Sequence, residues 1–158
     1  MNYLSSPNLN IVLVEPQIPP NTGNIARLCA AAECHLILLG ELGFELSDKY
    51  LKRAGLDYWE FVSWEHIPSS ESFIESLPSE HFHLLTTHTH TPYTRCAPKK
   101  SDYYFFGKET AGLPKHWLSK YKDRCYTIPM WNPNIRSLNL SSAAAIVVYD
   151  ALHHILQF

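Results

Sequence analysis

The chain has 158 residues, with 13 Lys and Arg against 15 Asp and Glu, a formal charge of -2 and a pI near 6.5. That balance excludes a whole-molecule field that would pull it onto nucleic acid, so any RNA contact has to come from local basic patches. A domain of this length buries about two-thirds of its unfolded surface and needs neither disulfide nor metal to fold. Its four cysteines, Cys29, Cys34, Cys96 and Cys125, form no CxxC pair and suit reduced thiols better than a secreted framework. The longest uninterrupted apolar run, Ala143 to Tyr149, is far short of the ~20 residues of a membrane-spanning helix. Met1 to Asn10 has no basic segment of the kind that opens a signal peptide. A cytoplasmic location and no membrane partner are expected.

Along the chain, short apolar runs alternate with helical patterns. Ile11 to Val14 predicts a buried strand that runs into a proline-stiffened loop, and a helix is expected to start near Thr22 to Asn24 with Ile25, Leu28 and Cys29 on its apolar side. Cys34 to Leu39 predicts a second strand, Asp48 caps a short basic helix through Arg53, and Phe61 to Trp64 predicts a third strand. Ser69 or Ser70 opens a helix ending near Leu77. Phe82 to Thr87, Tyr103 to Phe106 and Cys125 to Ile128 predict further strands, and Leu140 to Leu156 the final helix. Thr86 to Lys100 has no periodicity and is expected to be a long surface loop. Strands separated by helices predict an α/β fold with one parallel sheet and helices on both faces, and residues 1–158 show no domain boundary. The first half of the last helix, Ala143 to Val148, is apolar all round and is expected to be buried on every side, either by its own fold or by a second subunit.

Three strand-to-helix turns could carry chemistry. In Pro19-Pro20-Asn21-Thr22-Gly23-Asn24-Ile25-Ala26-Arg27 the N–H groups at the helix start can bind an anion, and Arg27 follows one turn later, on the face of Gly23 and Asn24. In Phe106-Gly107-Lys108-Glu109-Thr110-Ala111-Gly112-Leu113-Pro114 the glycines allow close approach to a ligand, yet the spacing fits neither a dinucleotide fingerprint nor a P-loop. The third turn, Tyr126 to Ala145, crowds Asn132, Asn134, Ser137, Asn139, Ser141 and Ser142 between two apolar segments. One such residue, Ser141 or Ser142, is expected as a helix cap; the rest are surplus.

Together the three turns resemble the ordered motifs of the SPOUT methyltransferases, in particular the TrmL (YibK) branch that methylates the ribose of the tRNA wobble nucleotide. The likeness runs from Asn10 to Ala151 and includes Arg53-Ala54-Gly55-Leu56-Asp57-Tyr58. The resemblance implies a C-terminal trefoil knot in the sheet fold, S-adenosylmethionine as methyl donor with S-adenosylhomocysteine as product, no metal, a tRNA anticodon stem-loop as partner, and a homodimer built through the knot and C-terminal helix. It places Leu85, Thr86, Gly107, Glu109, Gly112, Ile128, Met130, Ser137, Leu138 and Asn139 around the cofactor. It also places Arg27 at the reacting ribose oxygen, with Asn21, Asn24 or Ser141 positioning it. Two departures stand out: the run from Met130 to Arg136 is one residue longer than in relatives, and Thr86-Thr87 leads into His88-Thr89-His90 rather than lysine and glycine. Those histidines, with His81, His83 and Cys96, form no closed four-ligand set in sequence.

Other assignments stay open. Lys52, Arg53, Lys99, Lys100, Lys115, Lys120, Lys122 and Arg124 could form RNA-backbone patches or simply a solvated face. Trp131 could stack on an unpaired base or close its loop as core. A binding dimer without turnover would share the motifs, as would a base methyltransferase, although the asparagine and arginine of the first motif belong to the ribose-methylating branch.

Overall fold

The computed structural model describes residues 3–47 and 58–158; the expected basic helix from Asp48 to Arg53 lies outside them. Six parallel strands form one sheet among the described residues: β1 (Asn10–Val14), β2 (His35–Leu39), β3 (Ser63–Ile67), β4 (Phe82–Leu85), β5 (Tyr103–Phe106) and β6 (Cys125–Tyr126). Their order is β3-β2-β1-β5-β4-β6. Every residue of β1 and β2 is buried, as expected for central strands covered on both faces.

The two-residue alternation of the strands divides the core. Ile11, Leu13, Leu36, Leu38, Tyr104 and Phe106 face α1 (Pro19–Ala32) and α4 (Leu140–Leu156); Val12, Val14, Ile37, Leu39 and Phe105 face α2 (Ser70–Ser76) and α3 (Lys115–Lys120), which contribute Ile74 and Trp117. The expected α/β layering is therefore present, and β5 and α4 have the bounds read from the sequence.

Elsewhere the boundaries move for identifiable reasons. α1 starts at Pro19, before Thr22, because prolines occupy its first two positions, where a fixed φ and a missing N–H suit a helix start. Trp59–Phe61 is a 3-10 turn and β3 begins only at Ser63; Phe61 thus belongs to the turn, while Trp59 packs on Trp64 with the rings tilted by 46° and their centroids 4.7 Å apart. β4 and β6 stop at Leu85 and Tyr126, but the chain beyond them is tied. Thr86 N donates to Tyr126 O at 2.9 Å, Tyr93 N to Thr127 O at 2.8 Å, and Thr127 N to Thr91 O at 2.8 Å. The loop expected over Thr86 to Lys100 is thus strapped to the end of β6, and it contains a 3-10 turn at Tyr93–Arg95 and the buried Cys96.

Within one chain α4 is not covered all round. Ala144, Val147, Val148, Ala151 and Leu152 are buried, whereas Ile146 is 39% and Tyr149 45% exposed. Packing against α1 and the sheet covers one side of the helix and leaves the opposite strip open. All four cysteines are free and buried; burial pushes the Cys34 thiol up to about 12 and raises Cys29, Cys96 and Cys125 as well.

Candidate active site

The connections from β1 and β5 leave the sheet in opposite directions, so the carboxyl ends of these neighbours form the topological switch point at which open α/β sheets take ligands. The first two turns flagged in the sequence meet there. Glu109, from the loop after β5, reaches back to the loop after β1. Its Oε2 accepts from Gln17 N at 2.9 Å, and its Oε1 accepts from Ile18 N at 3.1 Å and Asn21 Nδ2 at 3.4 Å. Thr110 Oγ1 donates to Gln17 Oε1 at 2.7 Å, and Lys108 Nζ lies 3.8 Å from Glu15 Oε2. Ile18, the residue capping α1, offers no side-chain cap, and the Glu109 carboxylate supplies the negative charge that the helix start favours. The anion expected at this helix start is therefore a side chain of the protein itself.

The third turn joins the same network. Asn21 is buried, and its Oδ1 accepts from Asn139 Nδ2 at 3.0 Å, across 118 residues. Asn139 is in turn the N-cap of α4: its Oδ1 accepts from Ser141 N at 2.9 Å, Ser142 N at 3.3 Å and Ser141 Oγ at 2.6 Å. The cap is thus Asn139 rather than Ser141 or Ser142, which are its donors, because the helix begins at Leu140 and its first free N–H groups are those of Ser141 and Ser142. Asn21 and Ser141 were expected to position Arg27. Instead both side chains are engaged in this chain of hydrogen bonds.

The glycines have a local cause. A Cβ on Gly107 would lie 2.1 Å from Gly112 C and 2.3 Å from Leu113 N, and Gly112 itself has φ +70°. The loop folds back so that Gly112 N donates to Lys108 O at 2.8 Å. At Gly107 the backbone of Gly112 and Leu113 fills the space that the missing side chain leaves, whereas Gly112 is required by its positive φ.

Of the other expected cofactor residues, Leu85, Thr86, Ile128 and Met130 are half-buried at the ends of β4 and β6, while Ser137 and Leu138 are exposed. A separate open cleft of ≈ 410 Å³ lies beyond β2 and β3, lined by Gly40, Leu42, Phe44 and His66 among others. No residue expected in the site lines it, and the clustering of the three turns is the better guide to the chemistry.

Residues 8–149 match the SpoU rRNA Methylase family. The chain belongs to that family. Among similar proteins, the tRNA (cytidine(34)-2'-O)-methyltransferase of Saccharophagus degradans is 47% identical over 143 residues, covering 90% of this chain and 92% of its own. A solved structure described as "Structural insights into the 2-OH methylation of C/U34 on tRNA" superposes with a TM-score of 0.87 at 37% identity, covering 95% of this chain and 97% of that one. The SpoU methyltransferase AviRb of Streptomyces viridochromogenes, in complex with AdoMet, shares the fold with a TM-score of 0.77 at 21% identity, covering 95% of this chain and 58% of its own.

In this SpoU family member Arg27 stands apart from the hydrogen-bonded network. It is exposed on α1 beside the exposed Asn24, whereas Gly23 is buried. Its guanidinium carbon lies 4.8 Å from the centroid of the Tyr58 ring, a contact that no motif of the sequence announces. Trp131 is 90% exposed, so within one chain it does not close the loop as core. Of the basic residues, Lys99, Lys100, Lys115 and Lys122 are exposed and Lys120 Nζ lies 3.7 Å from Glu75 Oε1. Arg124 turns inward: its Nε donates to Phe82 O at 3.1 Å and its Nη2 to His83 Nδ1 at 3.0 Å, which removes it from the RNA-facing set. Lys52 and Arg53 lie outside the described residues.

The histidines near Cys96 are organised by an aspartate rather than by metal-ligand spacing. Asp102 is buried and accepts from His83 Nε2 at 2.9 Å, His81 Nδ1 at 3.1 Å and Lys99 N at 2.9 Å. An arginine can only donate, so His83 Nδ1 accepts from Arg124 and its Nε2 carries the proton shared with Asp102. No group of three or more His, Cys, Asp or Glu side chains among the described residues is arranged to hold a metal ion. His88 and His90 are exposed.

Proposed function

We propose that the chain is an S-adenosylmethionine-dependent tRNA methyltransferase that methylates the ribose 2′-oxygen of the wobble nucleotide, cytidine or uridine 34, in the cytoplasm. The carrying observation is the hydrogen-bonded series from Glu109 through Asn21 to Asn139, which brings the three motif loops of a methylase fold to one sheet edge. The relatives named for methylation at position 34 supply the substrate.

The donor set fits the cofactor. Among the described residues the backbone N–H groups of Ile128, Met130, Ser137 and Leu138 have no protein hydrogen-bond partner, and Leu85, Ile128 and Met130 are half-buried apolar residues. Donors and apolar surface of this kind suit a flat base with a polar edge. In this reading Leu85, Thr86, Gly107, Ile128, Met130, Ser137 and Leu138 hold S-adenosylmethionine, and Glu109, Gly112 and Asn139 hold the loops that present them. The segment after β6 threads the strapped loop as a trefoil knot, a rare exception to unknotted connections.

The bound sulfonium supplies an activated methyl group, so the protein's work is to orient and to manage the proton. A guanidinium makes a poor general base, so the role given to Arg27 is that of a donor. It donates to the ribose oxygen and stabilises the charge that develops there, while the proton leaves to solvent. Arg27 lies two turns into α1, about 12 Å along the helix from its start at the sheet edge. That distance favours action on the site of a second copy, in a homodimer joined through the open strip of α4 and the exposed Ile135 and Leu138.

The test is methyl transfer from labelled S-adenosylmethionine to tRNA from a strain lacking wobble ribose methylation. Incorporation is expected with the intact chain. Binding of S-adenosylhomocysteine without any incorporation would instead leave a binding protein.

A further inference from the structure

The geometry points to Tyr58 as a positioning residue for Arg27, one that aims the guanidinium without using up its hydrogen-bond donors; this rests on the role proposed for Arg27 above. An exposed arginine such as Arg27 needs a partner to hold its side chain in one place. A carboxylate partner would orient the guanidinium but would occupy its N–H donors and offset its charge. Among the described residues no ion pair or hydrogen bond engages the Arg27 side chain, and the contact it makes is with the ring of Tyr58, 4.8 Å from centroid to guanidinium carbon. A cation over a ring face is held electrostatically. The ring takes none of the five N–H donors, and among the described residues nothing else takes them from an RNA oxygen.

The backbone that carries the ring is tied down through the next residue, Trp59. Tyr58 immediately precedes the Trp59–Phe61 turn; Trp59 packs on Trp64 of β3, and both pack against the core beneath α1, as does Leu28, the neighbour of Arg27. Tyr58 is 41% exposed, so its outer part remains open to the same substrate that Arg27 meets. The turn that carries Tyr58 thus fixes where the guanidinium rests, while the substrate sets where it donates.

The experiment compares Tyr58→Leu, Tyr58→Phe, Arg27→Ala and the Tyr58→Leu/Arg27→Ala double variant in the full chain, reading kcat at saturating tRNA and, separately, the Kd for tRNA. Tyr58→Leu is expected to lower kcat about three- to fivefold with the KM for S-adenosylmethionine unchanged. Tyr58→Phe recovers most of that loss, since the ring rather than the hydroxyl carries the contact. In the Arg27→Ala background Tyr58→Leu adds nothing further. A Tyr58→Leu protein at the wild-type rate overturns the inference, and so does an effect that persists in full without Arg27, as a merely structural role would give. If the wild-type protein transfers no methyl group to tRNA, the proposed function falls and the cycle is read in tRNA Kd alone. There, a weakening by Tyr58→Leu that vanishes in the Arg27→Ala background supports the role of Tyr58, and independent or absent effects overturn it.

Discussion

Asn139 donates its side-chain amide to Asn21 at 3.0 Å, joining the cap of the last helix to the first turn of the first. With Glu109 Oε1 on the other side of Asn21 at 3.4 Å, three segments far apart in sequence share one polar network, and the site is expected to respond to it as a unit.

Asn139→Ala removes both a cap and a bridge, and should lower stability by about 1–3 kcal/mol. Asn21→Ala should lower it by a similar amount, and the double variant by less than the sum, since contacting residues couple by about 0.5 kcal/mol or more. Chemical denaturation of the four proteins measures this; strict additivity would show that the bond carries no coupling.

Gly107→Ala should harm the protein more than Gly112→Ala. The first places a Cβ 2.1 Å from backbone and forces the loop open, whereas the second meets no atom within 4 Å and only strains a φ of +70°, costing about 1–2 kcal/mol. Opening the loop also displaces Glu109 from Gln17 and Ile18. Melting temperatures and S-adenosylhomocysteine affinity should fall in that order, and equal effects would contradict the geometry.

Acid stability should depend on Asp102. Burial raises its pKa, but hydrogen bonds from His83, the Lys99 backbone and His81 outweigh this and hold the carboxyl below its ordinary value. A carboxyl depressed on folding stabilises the protein above its unfolded value of about 3.9 and loses that contribution as pH falls through the lower folded value. Wild-type stability should therefore decline more steeply than that of Asp102→Asn below about pH 4. Parallel denaturation curves over that range would contradict the assignment.

The open strip of α4 gives a test of assembly. Ile146→Glu places a charge on the exposed apolar strip shared with Tyr149, which should leave the fold intact and convert the proposed dimer to monomers in sedimentation equilibrium. An unchanged mass would move the interface elsewhere.

Much of the sheet was legible because its strands obey simple rules. Tyr103–Phe106 is a short aromatic run with turn residues on both sides, and Leu140–Leu156 begins at a good cap and keeps one apolar pattern throughout. The start of α1 was misplaced because Asn21 to Asn24 look like caps, while Pro19 and Pro20 are the residues that set the helix geometry. The family motifs picked out the three turns that the structure brings together, but the partners within them were not readable. Glu109 acts 92 residues away on Gln17, and Arg124 satisfies Phe82 and His83 rather than facing solvent. Such pairings depend on strand order, which local sequence does not state. The same holds for Tyr58, which meets Arg27 only because the turn before β3 packs beneath α1.

The most direct measurement locates the methyl group. tRNA lacking wobble ribose methylation is incubated with S-adenosylmethionine and either the intact chain or Arg27→Ala, then digested with nuclease and read by mass spectrometry. The expected result is one 2′-O-methyl group at nucleotide 34 with the intact chain and a loss of turnover of at least about a hundredfold with Arg27→Ala. Methylation of a base or of another nucleotide, or wild-type turnover without Arg27, would contradict it.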